Sequence, residues 1–208
     1  MSYLSVASAD VYEKVIEKSR FLAYAAHTAG EEEARAFLQD VRARHPLATH
    51  VCYAFVADRL GNLMRFSDDG EPQGTAGMPI LGVLRARKLF ETAVAVVRYF
   101  GGIKLGAGGL TRAYSSSAAE ALDRAAVCEY AVCTEVTVRV AYPEVNALTR
   151  FLEGRNVLSR EFSEKAAFII AVREEETDGF CAQCADVLLG RAEILRGRSY
   201  FSPFPLEK

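Results

Sequence analysis

The chain has 208 residues, half of them hydrophobic and a quarter charged, with 25 basic against 27 acidic side chains and a formal charge of −2. That balance excludes a disordered chain, and it argues against a strongly basic nucleic-acid binder while leaving room for a local basic patch. No apolar run approaches the roughly 18 residues that span a bilayer, and Met1-Ser2-Tyr3-Leu4-Ser5 does not open a secretion signal. Five scattered cysteines, an odd number, then predict a reduced, cytoplasmic protein with no membrane attachment.

In chain order, Tyr3–Ala7, Val11–Glu17 and Phe21–Ala26 read as strands separated by hairpin-like breaks. Glu31-Glu32-Glu33 opens a helix whose apolar residues Ala34, Phe37, Leu38 and Val41 recur at helical spacing, and the glutamates suit the positive end of its dipole. His45-Pro46 stops it. Thr49–Ala57 and Leu63–Phe66 read as strands about a Gly61-Asn62 turn. A polar loop, Ser67–Gly74, leads to a helix that opens between Thr75 and Pro79 and carries Ile80, Val83 and Leu84 on one stripe. Ala93–Phe100 reads as a buried strand, Gly101–Gly109 as a glycine-rich loop, and the segment after it as a helix with Leu110, Ala113, Tyr114, Ala118, Ala121, Leu122 and Ala125 on one face.

Eleven of the 15 glycines lie before residue 129, and the remainder of the chain has a different rhythm. Glu135–Val140 alternates as a strand and Pro143–Glu153 is helical. Asn156–Phe162 and Ala166–Val172 form a hairpin pattern, Asp178–Leu189 is helical, and Glu193–Tyr200 closes the series. The order βαββαβ is the ferredoxin-like pattern. The expected fold class is therefore α+β with two domains, residues 1–132 and 133–208.

Two stretches concentrate the chemistry. In Ser67-Asp68-Asp69-Gly70-Glu71-Pro72-Gln73-Gly74-Thr75-Ala76-Gly77, three carboxylates within four residues offer oxygen ligands to a hard cation such as Mg²⁺. The same stretch offers backbone N–H groups from Thr75 to Gly77 to an anion, or simply makes a tight surface turn. In Arg98-Tyr99-Phe100-Gly101-Gly102-Ile103-Lys104-Leu105-Gly106-Ala107-Gly108-Gly109-Leu110, glycines and a lysine between a strand and a helix suit either a phosphate or close backbone packing. Neither nucleotide fingerprint fits: Lys104 is followed by Leu105, and Thr111 stands where a dinucleotide loop needs glycine. Ser115-Ser116-Ser117 resembles the glycine–serine phosphate loop of small-molecule kinases only distantly. His50 beside Cys52 suggests a nucleophile pair or a half-buried structural histidine, and Cys181-Ala182-Gln183-Cys184, a lone CxxC, reads as helix packing.

Lys18-Ser19-Arg20-Phe21, Ser67-Asp68-Asp69-Gly70-Glu71-Pro72 with Gly74-Thr75-Ala76-Gly77 and Pro79, and the run from Arg98 to Tyr114 together resemble the signature of the YigZ/IMPACT family. His45-Pro46 and His50 also fit, and the resemblance covers nearly the whole chain. It implies an N-terminal α+β domain like the second domain of a small-subunit ribosomal protein, and a ferredoxin-like C-terminal domain similar to the last domain of elongation factor G. It also implies a translation-associated, non-catalytic regulatory role through RNA, the ribosome or a translation factor, with no cofactor. The residues expected to bind phosphate or nucleic acid are His50, Asp68, Asp69, Glu71, Gly74, Thr75, Gly77, Arg98, Gly101, Gly102, Lys104, Gly106, Gly108, Gly109 and Arg112. The alternative is a Mg²⁺-dependent enzyme acting on a phosphorylated small molecule, with Asp68, Asp69 and Glu71 on the metal and Lys104 on the phosphate.

Overall fold

The structure, a computed structural model, describes residues 2–7 and 11–206. It is mixed α+β and divides into two compact units, one built on Tyr3–Glu129 and the other on Tyr130–Phe204. The division falls inside a strand, Val127–Val140, and so no linker marks it in the sequence.

The first unit holds an antiparallel sheet of β2 (Val11–Ile16), β3 (Ser19–His27), β4 (His50–Val56), β5 (Met64–Ser67) and β6 (Thr92–Tyr99), in the order β2-β3-β6-β4-β5. Helix α1 (Glu31–Arg44) covers one face, packing Ala34, Leu38 and Val41 on Leu22, Val51, Phe55 and Val97. Helices α2 (Gly77–Ala86) and α3 (Gly106–Arg124) cover the other, packing Ile80, Leu84, Tyr114 and Leu122 on Phe21, Cys52, Val94 and Val96. Helices on both faces bury β6 as far as Arg98, which explains why Ala93–Val97 is a continuous apolar run without alternation.

The structure departs from expectation in three places. Strand β1 (Ser2–Val6) is not a hairpin partner of β2. It pairs with β7 (Val127–Val140), and the Ala7 N–H donates to the Ala126 carbonyl at 3.0 Å. The hairpin that does form is β2–β3, turned by Glu17 and Lys18, both at positive φ as a two-residue turn demands. The glycine loop is shorter than predicted, because Gly106–Gly109 form the first turn of α3, where backbone N–H groups need no intrahelical partner. Ser115, Ser116 and Ser117 therefore sit within the helix. Each donates its hydroxyl to the carbonyl four residues back, at 2.6–2.8 Å, and none of them forms a phosphate loop.

In the second unit β7 is followed by α4 (Val145–Phe151), β8 (Val157–Phe162), β9 (Ala166–Arg173), α5 (Thr177–Val187) and β10 (Glu193–Pro205). The strands lie in the order β10-β7-β9-β8, with β9 antiparallel to both neighbours, the ferredoxin-like arrangement. Val136, Val138, Phe168 and Ile170 pack against Leu148, Phe180 and Leu188. Cys184 belongs to this core, and burial pushes its thiol up to about 11. Among the described residues no helix is long and apolar enough to cross a membrane.

Candidate functional site

The acidic stretch after β5 is held by its own carboxylates. Asp68 accepts the N–H groups of Gly74 at 2.8 Å, Ala76 at 3.0 Å and Gly77 at 2.8 Å, closing the loop onto the start of α2. Asp69 accepts the Val51 N–H at 2.6 Å and pairs with Arg42 at 3.0 Å. Thr75 is buried and donates its hydroxyl to the Pro72 carbonyl at 2.6 Å. Gly77 lets α2 approach β5, since a Cβ there would meet the Ser67 backbone at 2.8 Å. The Ala76 and Gly77 amides expected to receive an anion are thus already occupied by Asp68. Among the described residues, no group of three His, Cys, Asp or Glu is placed to hold a metal ion.

Burial works against the Asp68 charge, but the three backbone N–H groups outweigh it and hold the carboxyl below its usual range. A depressed folded-state value means that this stabilisation is present above the unfolded value of about 3.9 and is lost as pH falls through the folded one. Asp68→Ala is expected to cost about 1–2 kcal/mol near neutral pH, as for lost helix caps. Urea unfolding of both proteins between about pH 3 and pH 6 should show the gap closing on the acid side.

Glu71 turns the other way, into the protein. The β4–β6 register sets His50 opposite Arg98. Arg98 Nη1 donates to Glu71 Oε1 at 2.6 Å, with both side chains at most 5 % exposed. Tyr114 on α3 donates its hydroxyl to the same oxygen at 2.8 Å, and Arg98 Nη2 donates to Ser19 Oγ at 3.2 Å. The guanidinium lies over the rings of Phe21 and Phe100, 5.4 Å from each centroid. Arg98 Nε, fully enclosed, has no hydrogen-bond partner among the described residues.

His50 Nδ1 lies 2.8 Å from the Asp69 carbonyl, an acceptor only, so that Nδ1 is the donor of this hydrogen bond. The other ring nitrogen, Nε2, lies 3.9 Å from Glu71 Oε1. The Cys–His pairing is not made. Cys52 donates its thiol to the Asp68 carbonyl at 3.0 Å, and burial pushes that thiol up to about 12, far from a reactive thiolate. The Tyr114 hydroxyl is pushed far up as well, by burial first and then by Cys52 and Glu71.

Above this floor opens a groove of about 410 Å³ whose walls include Pro72, Phe100, Lys104, Leu105 and Gly106. A second groove, of about 610 Å³, lies on the far side of Lys104 and Leu105 and is lined by Glu17, Gly109, Arg112 and Ser116. Lys104 borders both. Among the described residues neither Lys104 nor Arg112 has an acidic partner, and Lys14 reaches Ser116 Oγ at 2.5 Å on the rim of the second groove.

The two motif stretches therefore do meet: His50, Glu71, Arg98, Lys104 and Gly106 share one groove, and Lys104, Gly109 and Arg112 share the other. Asp68, Asp69, Gly74, Thr75 and Gly77 line neither groove and organise the loop instead. Gly101 packs on the β2–β3 turn, while Gly102 and Gly108 are exposed. Phe100 and Tyr114 were not among the expected site residues. A tyrosine on the apolar stripe of α3 was the available signal, since a buried hydroxyl needs a partner.

A two-unit α+β protein with a ferredoxin-like second unit, and with two grooves divided by a lysine-bearing ridge, is the class these features define. Residues 17–122 match the family profile described as the Impact N-terminal domain. The chain is 39 % identical over 198 residues to the IMPACT family member YvyE of Bacillus subtilis, spanning 94 % of this chain and 91 % of that protein. It is 46 % identical over 186 residues to an IMPACT family member of Thermus thermophilus, spanning 88 % and 97 %. A crystal structure known only as that of a hypothetical protein superposes with a TM-score of 0.62 at 35 % identity, covering 93 % of this chain and 96 % of that one. The chain belongs to the IMPACT family.

Proposed function

We propose that this protein is a cytoplasmic, translation-associated regulator that binds RNA on the face divided by Lys104, without catalysing a reaction. The observation that carries the reading is Lys104 itself. It stands on a ridge between two grooves with no acidic partner among the described residues, and Arg112 and Lys14 lie beside the second groove. In a chain with a net charge of −2, Lys104, Arg112 and Lys14 outnumber Glu17 around the second groove, a local cationic excess that bulk charge does not supply. Phe100, 46 % exposed at the rim, adds a surface on which an unpaired base can stack, the usual companion of cations in single-strand binding. Membership of a family with translation-regulating members supports RNA of the translation apparatus as the target.

The geometry favours this reading over Mg²⁺-dependent chemistry because the carboxylates of Asp68 and Asp69 are spent on backbone N–H groups and Arg42. Co-sedimentation with ribosomes at low and moderate salt, and titration of a labelled single-stranded RNA, test the proposal. Lys104→Glu is expected to weaken RNA binding at least about tenfold at low salt and to flatten the salt dependence by roughly 0.7–1 in log–log slope. Binding that is absent at low salt, or unchanged by Lys104→Glu, would overturn it.

A further inference from the structure

The turn between β4 and β5 and the C-terminal end of α2 enclose a pocket of about 200 Å³ that shares no lining residue with the two grooves at Lys104. Val56, Met64, Leu89 and Phe90 make it apolar, and Arg85 and Lys88 add two cations. Phe90 is anchored by its N–H, which donates to the Leu4 carbonyl at 2.9 Å. Gly61 leaves that ring uncovered, since a Cβ there would lie 3.0 Å from a ring carbon, and Leu60 beside it is 72 % exposed. The carboxylates on the flanking segments are committed elsewhere: Asp58 to the N–H groups of Asn62 and Leu63, Glu91 to Arg59, and Asp123 to Arg87. Among the described residues Arg85 and Lys88 have no acidic partner. Lys88 is also an unusual residue for its place. It closes α2 in a Schellman motif, in which the Leu89 N–H donates to the Leu84 carbonyl and the Lys88 N–H to the Arg85 carbonyl, each at 3.1 Å. Its φ of +52 is the left-handed conformation for which glycine is the common choice. Backbone geometry alone favours glycine there, and what the lysine adds is a cation beside the pocket.

We propose that this pocket docks an acidic peptide segment of a partner protein, with one bulky apolar side chain inside it and flanking carboxylates on Arg85 and Lys88. The inference goes beyond the RNA reading and does not depend on it. The occupant follows from charge complementarity. An apolar pocket rimmed by two uncompensated cations attracts an apolar anchor carried between carboxylates and repels the same anchor carried between basic residues. A volume of about 200 Å³ has room for one large side chain. Strand β5 is the edge of its sheet, which leaves space for an extended chain on either side of the anchor. Phe66, exposed two residues beyond Met64 on the same face of that strand, continues the apolar surface. The anchor supplies most of the affinity by burial, and the cations supply the choice of partner.

The test titrates the full chain, at low salt, with a labelled nonapeptide of serines in which glutamates flank a central phenylalanine. Two companion peptides replace the phenylalanine by alanine or the glutamates by lysines. Each should bind at least about tenfold more weakly, the first through lost aromatic burial and the second through like charges at the rim. The double variant Arg85→Gln/Lys88→Gly should weaken the phenylalanine peptide at least about tenfold and flatten its salt dependence. Lys88→Gly alone should melt no lower than the unchanged protein, because glycine suits the left-handed backbone, and Lys104→Glu should leave peptide binding as it was. The site is overturned by absence of saturable binding, by equal binding of either companion peptide, or by binding that survives the double variant. Peptide binding lost in Lys104→Glu would place the peptide on the ridge and overturn it too. Vesicles of anionic phospholipid that bind through Arg85 and Lys88 where the peptide does not would make the surface a membrane contact instead. A lower melting temperature for Lys88→Gly would assign the lysine to the fold and overturn its assignment to the pocket. All these outcomes are separate from the RNA reading, which stands or falls on Lys104→Glu and RNA.

Discussion

Arg98→Met is expected to destabilise the protein by about 3–5 kcal/mol, read as a fall in the urea midpoint, because it strands a buried carboxylate. Glu71 and Arg98 are 3 % and 5 % exposed at their side chains, and without the guanidinium the Glu71 carboxylate keeps, among the described residues, the hydrogen bond from Tyr114. The physical claim is that the loss comes from an uncompensated charge. The double variant Arg98→Met/Glu71→Leu should therefore recover most of the stability, since an apolar pair of similar volume is often neutral where half an ion pair is not. A double variant as unstable as the single one would assign the loss to the Phe21–Arg98–Phe100 stack instead. The ion pair earns little net stability by this account. Its consequence is positional: it holds Phe100, the floor of the groove and Tyr114 of α3 in one arrangement.

The second large effect is expected at Gly101. A Cβ built there would lie 2.0 Å from the Lys18 carbonyl carbon and oxygen and 2.5 Å from the Ser19 nitrogen, all of them backbone atoms that cannot swing aside. Gly101→Ala should cost on the order of 3 kcal/mol and loosen the segment that carries Phe100 and Lys104. Gly102 provides the contrast. It has φ +86 but open space around it, so Gly102→Ala pays only for the left-handed backbone, about 1–2 kcal/mol. Gly108, in the first turn of α3 with nothing closer than an Arg112 side-chain nitrogen at 3.6 Å, should accept alanine with no loss. Thermal and urea melts of the three variants should rank them in that order. Gly108→Ala costing as much as Gly101→Ala would contradict the packing argument.

These glycines mark the limit of reading one chain. The helices and strands were legible because period 3.6 and period 2 are local properties: the stripe from Leu110 to Ala125 and the Val136-Val138-Val140 alternation depend on nothing far away. The βαββαβ order of the second unit followed from the same signals, as did the two stretches that matter most. Chain neighbours, however, do not reveal partners. Glu71 meets Arg98 27 residues on and Tyr114 43 residues on, while Asp68 and Asp69, of the same chemistry and nearly the same position, bind the loop and helix backbone and Arg42 instead. Three consecutive-looking carboxylates read as one metal site only until the chain turns each of them in its own direction.

By itself, then, the sequence determined the elements, the family and the segments that hold the chemistry, because propensity, periodicity and motif spacing act over a few residues. Only the tertiary structure decided that β1 pairs with β7, that the sheet runs β2-β3-β6-β4-β5, and that α3 begins inside the glycine run. It alone separated Gly101, which packs on the Lys18 backbone, from Gly108, which touches little, and Asp68, a cap, from Glu71, the floor of a groove. Those outcomes depend on contacts between residues tens of positions apart, where burial and charge compensation, not local preference, set the free energy.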